Sequence, residues 1–399
     1  MAPPKKPKIV EKDVGGFAKF QQVFKMLEGL HGHACERDPA GHRKLFYDQY
    51  IALILLYYFN PILTSLRGIQ QASALKNVQK KLGCSRASLG SLSDAGRVFD
   101  AEALREVIGD LVDQLQPLDL RRGYDQVHGV LTMVDGTLLP ALPKLVEAMW
   151  LDDKHKAFKI HTHFEAVKSV PVAATVTDAN TAETTVLRQN LSADRVYVMD
   201  RGYYSFAVFK DIQTAGSSFV CRGKTNSPGE DWELLELSDE AKDAGVISDQ
   251  VGTIQTQAAR KAGIGQMRLR RIEVVCEPHT KRSKTARGGP TSTGTLVLFT
   301  DLLEVPAEVV ALIYRHRWAI ETFFRFFKHV LGCRHLISHD SNGIQIQVYV
   351  GILACLLIAW WTGRKPTLRT FEMVCFYLSG LAELQELLDH IDRLQPQPQ

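Results

Sequence analysis

Several protein classes announce themselves by features this chain lacks. Its seven cysteines are scattered over 399 residues with no CxxC pair, which argues against a disulfide scaffold and for a reducing compartment. His31, His33 and Cys35 crowd together in HGHACE, yet no second ligand cluster follows at metal spacing, so structural zinc is not expected. Nor does a membrane-length apolar run stand out. VYVGILACLLIAWW, residues 348–361, has fourteen residues; that is too short to span a bilayer comfortably and suits a buried helix. The opening MAPPKKPK is a Pro/Lys arm with no apolar centre, unlike a signal peptide. There is no internal repeat, and the net charge of +4 is small for 399 residues, a weak sign of any polyanionic partner. These absences leave a cytoplasmic protein with no membrane partner.

What is present is globular. Hydrophobic residues make up 45% and charged residues 23%, enough for a sizeable core in two or three domains. Charge is concentrated locally: residues 259–287 hold Arg260, Lys261, Arg268, Arg270, Arg271, Lys281, Arg282, Lys284 and Arg287 against Glu273 and Glu277, an excess that suits a polyanion or a solvated basic loop. After a flexible arm, 1–16, apolar positions at helical spacing predict an all-helical region over 17–125. One helix runs near 47–58 and stops at Asn60-Pro61. Three short helical patterns follow, with Gly83 ending the second and Ser85 capping the third. They resemble a helix-turn-helix-like unit with Arg86 near an exposed helix start, although helical packing explains the pattern almost as well. A helix over 101–115 closes the region.

The texture then turns to strands. GVLTMVDGTLLPAL reads as a buried strand ending at Asp135-Gly136. FKIHTHFEAV alternates, with Ile160, Thr162, Phe164 and Ala166 on one face and Lys159, His161, His163 and Glu165 on the other. VPVAATVTDA is a third strand, TTVLRQNL a helix, and RVYVMDRGYYS a strand ending at Asp200-Arg201-Gly202. Strands, a crossover helix and another strand predict a mixed α/β sheet. The expected division is a first core segment at 126–225, a β-rich basic insertion at 226–300, a core helix segment at 301–345, and C-terminal helices with a loose tail at 346–399.

Asp135 and Asp200 each follow a hydrophobic β-run and precede a Gly-containing turn; in open α/β sheets, sites form at the carboxyl ends of strands. A third carboxylate, Glu321, lies in YRHRWAIETFFRFFKHV, residues 314–330. There Tyr314, Arg317, Glu321 and Lys328 fall within roughly 60° of one another on a regular helix. Three carboxylates from separate elements suit a pair of Mg²⁺ or Mn²⁺ ions, which activate a nucleophile and steady the leaving oxygen in phosphoryl transfer. Arg317 and Lys328 would then lie along a nucleic-acid backbone and Tyr314 would donate to a phosphate or stack. Trp318, Ile320, Phe323, Phe324, Phe326 and Phe327 would pack the helix onto the sheet. Taken singly, each polar residue reads better as part of the wet face of an amphipathic helix, and His161 and His163 read best as strand histidines.

The combination resembles a known family. YRHRWAIETFFRFFK is similar to the Tyr-x2-Arg-x3-Glu-x6-Lys signature of DDE transposases of the insertion sequence four family. TMVDGT and VMDRGYYS resemble that family's segments around its first and second Asp, and the helical N-terminal region is similar to the domain often placed ahead of its catalytic part. The resemblance implies an RNase H-like catalytic core, interrupted between second Asp and Glu by a β-rich insertion. It implies a metal-binding triad of Asp135, Asp200 and Glu321 holding two Mg²⁺ or Mn²⁺ ions, with Tyr314, Arg317 and Lys328 on transposon-end phosphates. Arg201, beside the second Asp, and Arg268 and Arg270, in the basic insertion, are further candidate DNA contacts with Arg86. Relatives use a Trp from the insertion to hold a flipped base; Trp232 is the only Trp there, though no local motif ties it to that role. The implied activity is cut-and-paste transposition of double-stranded DNA, acting at terminal repeats and target within a homodimeric synaptic complex, at the bacterial nucleoid. Two rivals stay open: an RNase H-like nuclease without strand transfer, and a non-catalytic DNA-binding protein derived from a transposase.

Overall fold

The protein is represented by a computed structural model that describes residues 25–33, 42, 44–117, 124–141, 149–150, 156–223, 230–276, 294–333 and 335–393. The expected arm, most of the basic loop around Lys281–Arg287, Cys35 and the tail lie outside the described residues.

One mixed sheet organises the chain. Its strands are β1 (Val130–Ala141), β2 (Met149–Trp150), β3 (Lys156–Glu165), β4 (Val170–Asp178), β5 (Arg195–Met199), β6 (Ser218–Arg222), β7 (Glu230–Leu234), β8 (Val246–Thr253), β9 (Leu269–Val275) and β10 (Thr295–Thr300). They lie in the order β2-β3-β1-β5-β6-β10-β9-β8-β7, with β4 also paired to β3. β1 runs antiparallel to β3 and parallel to β5, and β5 runs parallel to β6. The last parallel step needs a crossover, supplied by the Phe206–Thr214 helix. The β-rich segment after residue 226 is stitched into the same sheet, because β10 pairs with β6 on one side and β9 on the other.

Alternation along the central strands sends side chains into two cores. Leu131, Met133, Val196, Val198 and Val220 belong to one, together with Ile320, Phe323 and Phe327. Val134, Tyr197, Met199, Phe219 and Cys221 belong to the other, with Leu187, Phe209 and Ile212 from the Glu183–Gln189 and Phe206–Thr214 helices. β3 is covered on both sides, so His161 is buried as well as Ile160.

The apolar run near the C-terminus forms a 22-residue helix, Ser341–Thr362, starting earlier than the sequence predicts. Asp340 caps it by accepting from the Gly343 N–H at 3.2 Å, and Gly363 at φ 65° ends it. Its length and apolar composition would suffice to cross a membrane, but 89% of its most apolar window is buried. It is the central helix of the core, against which the Tyr47–Phe59, Leu89–Val98 and Ala103–Asp113 helices pack. Tyr58 donates to the Gln347 carbonyl at 2.8 Å, and Asn342 donates to the carbonyls of Gly96 and Phe99 at 2.6 Å each. Helices from both ends of the chain therefore share one core.

Three short helices do form at Leu66–Ser73, Lys76–Leu82 and Leu89–Val98, and Gly83 at φ 62° closes the second as expected. The third begins later than predicted. Ser88 is its cap, accepting from Ser91 N–H at 3.0 Å, while the Ser85 hydroxyl donates to the Lys44 carbonyl.

Candidate active site

Strand register brings the two aspartates together. The parallel run between β1 and β5 ends at Val134 opposite Met199, so Asp135 and Asp200 are the next residues on adjacent strands, which lie about 4.8 Å apart. The sequence reading ended β1 at Asp135. The strand instead continues to Ala141, paired only with β3 beyond this point. What stops at Asp135 is the partnership with β5, and that opens the sheet beside both carboxylates.

Glu321 arrives from the other direction. The regular helix expected over 314–330 is instead spread over three pieces: Ala307–His316, Trp318–Arg325, and a wide π-helical turn, Phe326–Val330. The break falls at Arg317. Ile320, Phe323, Phe324, Phe326 and Phe327 are buried as expected, whereas Trp318, expected beside them, is 49% exposed. π-turns occur mostly as single bulges within α-helices, frequently at functional sites. Here the turn carries Lys328, whose ammonium donates to the Leu138 carbonyl at 2.9 Å, anchoring the helix end to the extension of β1.

Arg317 links the acids. It donates to Asp135 at 3.3 Å and to Glu321 at 2.6 Å, with its guanidinium 6.0 Å from the Tyr314 ring centre. Tyr314 donates to Asp200 at 3.4 Å. Tyr314, Arg317, Glu321 and the two aspartates thus form one constellation, with Lys328 set apart on the Leu138 carbonyl of β1. Arg222, at the end of β6, stands 3.8 Å from Asp200; sequence reading missed it, although a charged residue closing a third parallel strand, in SFVCR, was a usable signal. Glu183 was also missed. It opens a helix beside the site and looked like an ordinary acid of a first helical turn.

Burial raises Asp135 from the usual carboxylate value to about 6. The Gly136 N–H and Arg317 work against that rise, and the like charges of Glu183 and Glu321 add to it. Because this folded value is above the unfolded one, the folded state binds the proton more readily between the two. In metal-free buffer, stability should therefore fall as pH rises from about 4 to 6, by on the order of 2 kcal/mol. Chemical denaturation across that range checks this: Asp135→Asn should flatten the slope, and an unchanged slope would refute the assignment. Burial also disfavours charge on Arg317, but Tyr314, Glu321, Asp200 and Asp135 outweigh it and hold the guanidinium above its ordinary value. Desolvation pushes Tyr314 up and Lys328 down.

The remaining predicted contacts scatter. Arg201 is exposed in a turn directly after Asp200, Arg86 is exposed ahead of the Leu89–Val98 helix, and Arg268 is exposed 3.8 Å from Glu233. Trp232 is half-buried on edge strand β7, 6.3 Å from Phe299 and covering Gly252, which places it in the second core. Arg270 is a correction. It is 5% exposed and paired with Asp249 at 2.6 and 2.8 Å, with its remaining nitrogen on the carbonyls of Leu302, Leu303 and Val305. All of its donors face inward, so it cannot reach DNA. Arg270→Ala should destabilise the protein by about 3–5 kcal/mol, because Asp249 would be left buried and unpaired. A denaturant midpoint within error of wild type would contradict this.

His161 and His163 lie on the β3 face under the Glu183–Gln189 helix. His161 meets the Thr177 hydroxyl at 2.9 Å and His163 sits edge-on to Tyr197. Burial lowers both to about 4, so they are neutral strand histidines. His31 pairs with Asp48 at 2.9 Å. Among the described residues, no three His, Cys, Asp or Glu groups are clustered closely enough to form a ready-made metal cage.

A family model described as a transposase DDE domain matches residues 128–357, more than half of the chain. The chain belongs to the DDE transposase family. Named transposases are among its relatives. One from Sinorhizobium fredii, y4zB, is 25% identical over 272 residues, covering 67% of this chain and 69% of its own. The transposase named for insertion sequence element IS5377 of Geobacillus stearothermophilus is 25% identical over 202 residues, 51% of this chain and 48% of its own. The one named for element IS4SA of Synechocystis is 22% identical over 297 residues, 72% and 77% respectively. The resemblance to insertion sequence four transposases is borne out, and the chain is a DDE transposase, an enzyme of DNA transposition.

Proposed function

We propose that this transposase cleaves double-stranded DNA at the ends of its insertion sequence and joins the freed ends to target DNA, using Asp135, Asp200 and Glu321 to hold two Mg²⁺ or Mn²⁺ ions. The observation that carries this reading is the constellation itself: adjacent strands deliver the two aspartates, and Arg317 spans Asp135 and Glu321. The donor set fits a hard dication. All three candidate ligands are carboxylates, and a cation, the Arg317 guanidinium, already bridges two of them. When bound, such ions supply activation of the attacking oxygen and neutralisation of the leaving one.

The chain's own residues would do the rest. With DNA present, Arg317 would turn its fork towards a phosphate, a bidentate partner that suits it. Tyr314, whose proton burial holds firmly, would donate to a phosphate oxygen. Lys328, pinned near β1, would place a second positive charge along the same strand. Exposed Arg201, Arg86 and Arg268 would extend the track. The order β4-β3-β1-β5-β6, antiparallel on one side of β1 and parallel on the other, supports an RNase H-like core, with β7–β9 as the insertion. Synapsis of two ends calls for a homodimer, and the work would take place on the bacterial nucleoid in the cytoplasm.

The test is an end-labelled duplex bearing the inverted repeats that flank the gene, incubated with protein and Mg²⁺ and resolved on a denaturing gel, with supercoiled plasmid as target. Cleavage at the repeat boundary followed by joined product supports the proposal. Cleavage of any duplex without joining would replace it with a nuclease, and binding without cleavage with a regulator.

A further inference from the structure

The triad does not account for Glu183. This residue opens the Glu183–Gln189 helix, whose N-cap is Ala182, a residue with no side chain able to cap. A first-turn acid normally serves the helix dipole, yet this carboxylate leans over the neighbouring strand. A Cβ built on Gly136 would lie 2.7 Å from Glu183 Oε1, and one on Gly202 would lie 3.7 Å from Oε2. Gly136 follows Asp135, and Gly202 is two residues beyond Asp200.

Glycine at 136 lets the Glu183 carboxylate lie directly against the strand. Its φ is not among the positive ones, and it keeps regular register opposite His161, so the backbone itself does not demand glycine. A side chain at 136 would require the Glu183 carboxylate to swing away from the strand. The Glu183 carboxylate thus lies against the backbone beside Asp135, adding a fourth negative charge that Lys159 and Arg317 only partly offset. Lys159 forms an ion pair with Glu183 Oε1 at 3.7 Å, and its ammonium also donates to the Thr181 carbonyl at 3.2 Å. The Glu183 side chain is 29% exposed, open to water and ions. Its helix packs on the core containing Val134, whereas the Glu321 helix packs on the core containing Met133. The two glutamates therefore approach the aspartates from opposite faces of the sheet.

We propose that Glu183 is a fourth carboxylate of the cation site, a positioning residue that faces Asp135 across Gly136 and fixes the divalent ion held there from the side opposite Glu321. This rests on the triad reading above. Glu183 acts on the ion, directly or through its water, and carries no proton in the reaction.

The test is Mn²⁺ binding to the full-length protein without DNA, followed by calorimetry, for wild type, Asp135→Asn, Glu183→Gln and Lys159→Gln. Removing a supporting group of this kind weakens metal binding by about 10–100-fold. Glu183→Gln should therefore bind Mn²⁺ at least about tenfold more weakly, and should need correspondingly more Mg²⁺ for half-maximal cleavage of repeat-end DNA. Lys159→Gln should bind Mn²⁺ more tightly, because a competing cation is gone. If Glu183 were only the partner of Lys159, both variants would behave alike, and that result overturns the proposal even where both lose stability. Wild-type affinity in Glu183→Gln, with binding lost in Asp135→Asn, also overturns it while leaving the triad standing. Full Mn²⁺ binding by Asp135→Asn would bring down the triad reading itself.

Discussion

Asp135→Asn should abolish strand cleavage at the element ends while leaving the same duplex bound. The substitution keeps the shape of the side chain and still lets an oxygen accept from the Gly136 N–H, which now meets Asp135 at 2.8 Å. What disappears is the negative charge, the property a dication requires. The fall in cleavage should reach about 10²–10³-fold, the scale seen when a group that stabilises developing charge is removed. Asp200→Asn and Glu321→Gln should match it, because the three act as one unit and their losses will not add. Repeat-end DNA should still shift in a native gel, since Tyr314, Lys328 and the exposed arginines remain. Cleavage by Asp135→Asn at the wild-type rate would end the assignment.

Arg317→Gln should produce two effects of opposite sense. Without metal, the variant should be less stable by about 1–3 kcal/mol, because two partly buried carboxylates, Asp135 and Glu321, lose their shared counter-ion. Added Mn²⁺ should then raise its melting temperature by more than it raises that of wild type, where the guanidinium competes for the same oxygens. With DNA the order reverses. The variant should bind repeat-end duplex more weakly, and its log-log salt slope should shrink by about one phosphate's worth. Equal stabilisation of both proteins by Mn²⁺ would show that Arg317 and the ion do not share those oxygens. Arg317 would in that case be a structural brace only.

Much of this site was legible because its parts are punctuated in the sequence. Hydrophobic β-runs stop at Asp135 and Asp200, and one helical face gathers Tyr314, Arg317, Glu321 and Lys328. The alternation of the strands and the apolar C-terminal helix were equally plain. What escaped was long-range pairing. No local pattern shows that β10 would seat beside β6, nor that β1 would outrun β5 by seven residues. Arg270 looked like its neighbours in a basic segment, since only the register of β8 and β9 brings it to Asp249. Trp232 was singled out by being alone in its region, which says nothing of its surroundings. Glu183 acquires meaning only when Gly136 is seen beneath it. The helix break at Arg317 was hidden because the apolar spacing continues through it.

The seating of β10 against β6 also has a consequence for the chain as it is made. The edge of β6 waits for a strand that begins at Thr295, after the whole of β7–β9 has been synthesised. At about 5–20 residues per second, that edge stays open on the ribosome for roughly 4 to 15 seconds. The strand lined by Phe219, Val220 and Cys221 is then a template for any other unpaired strand. Translation arrested in this interval leaves a chain that holds both aspartates and lacks Glu321. Such a chain keeps an open, apolar sheet edge, the kind that favours aggregation, and would lack one of the three carboxylates proposed to hold the ions.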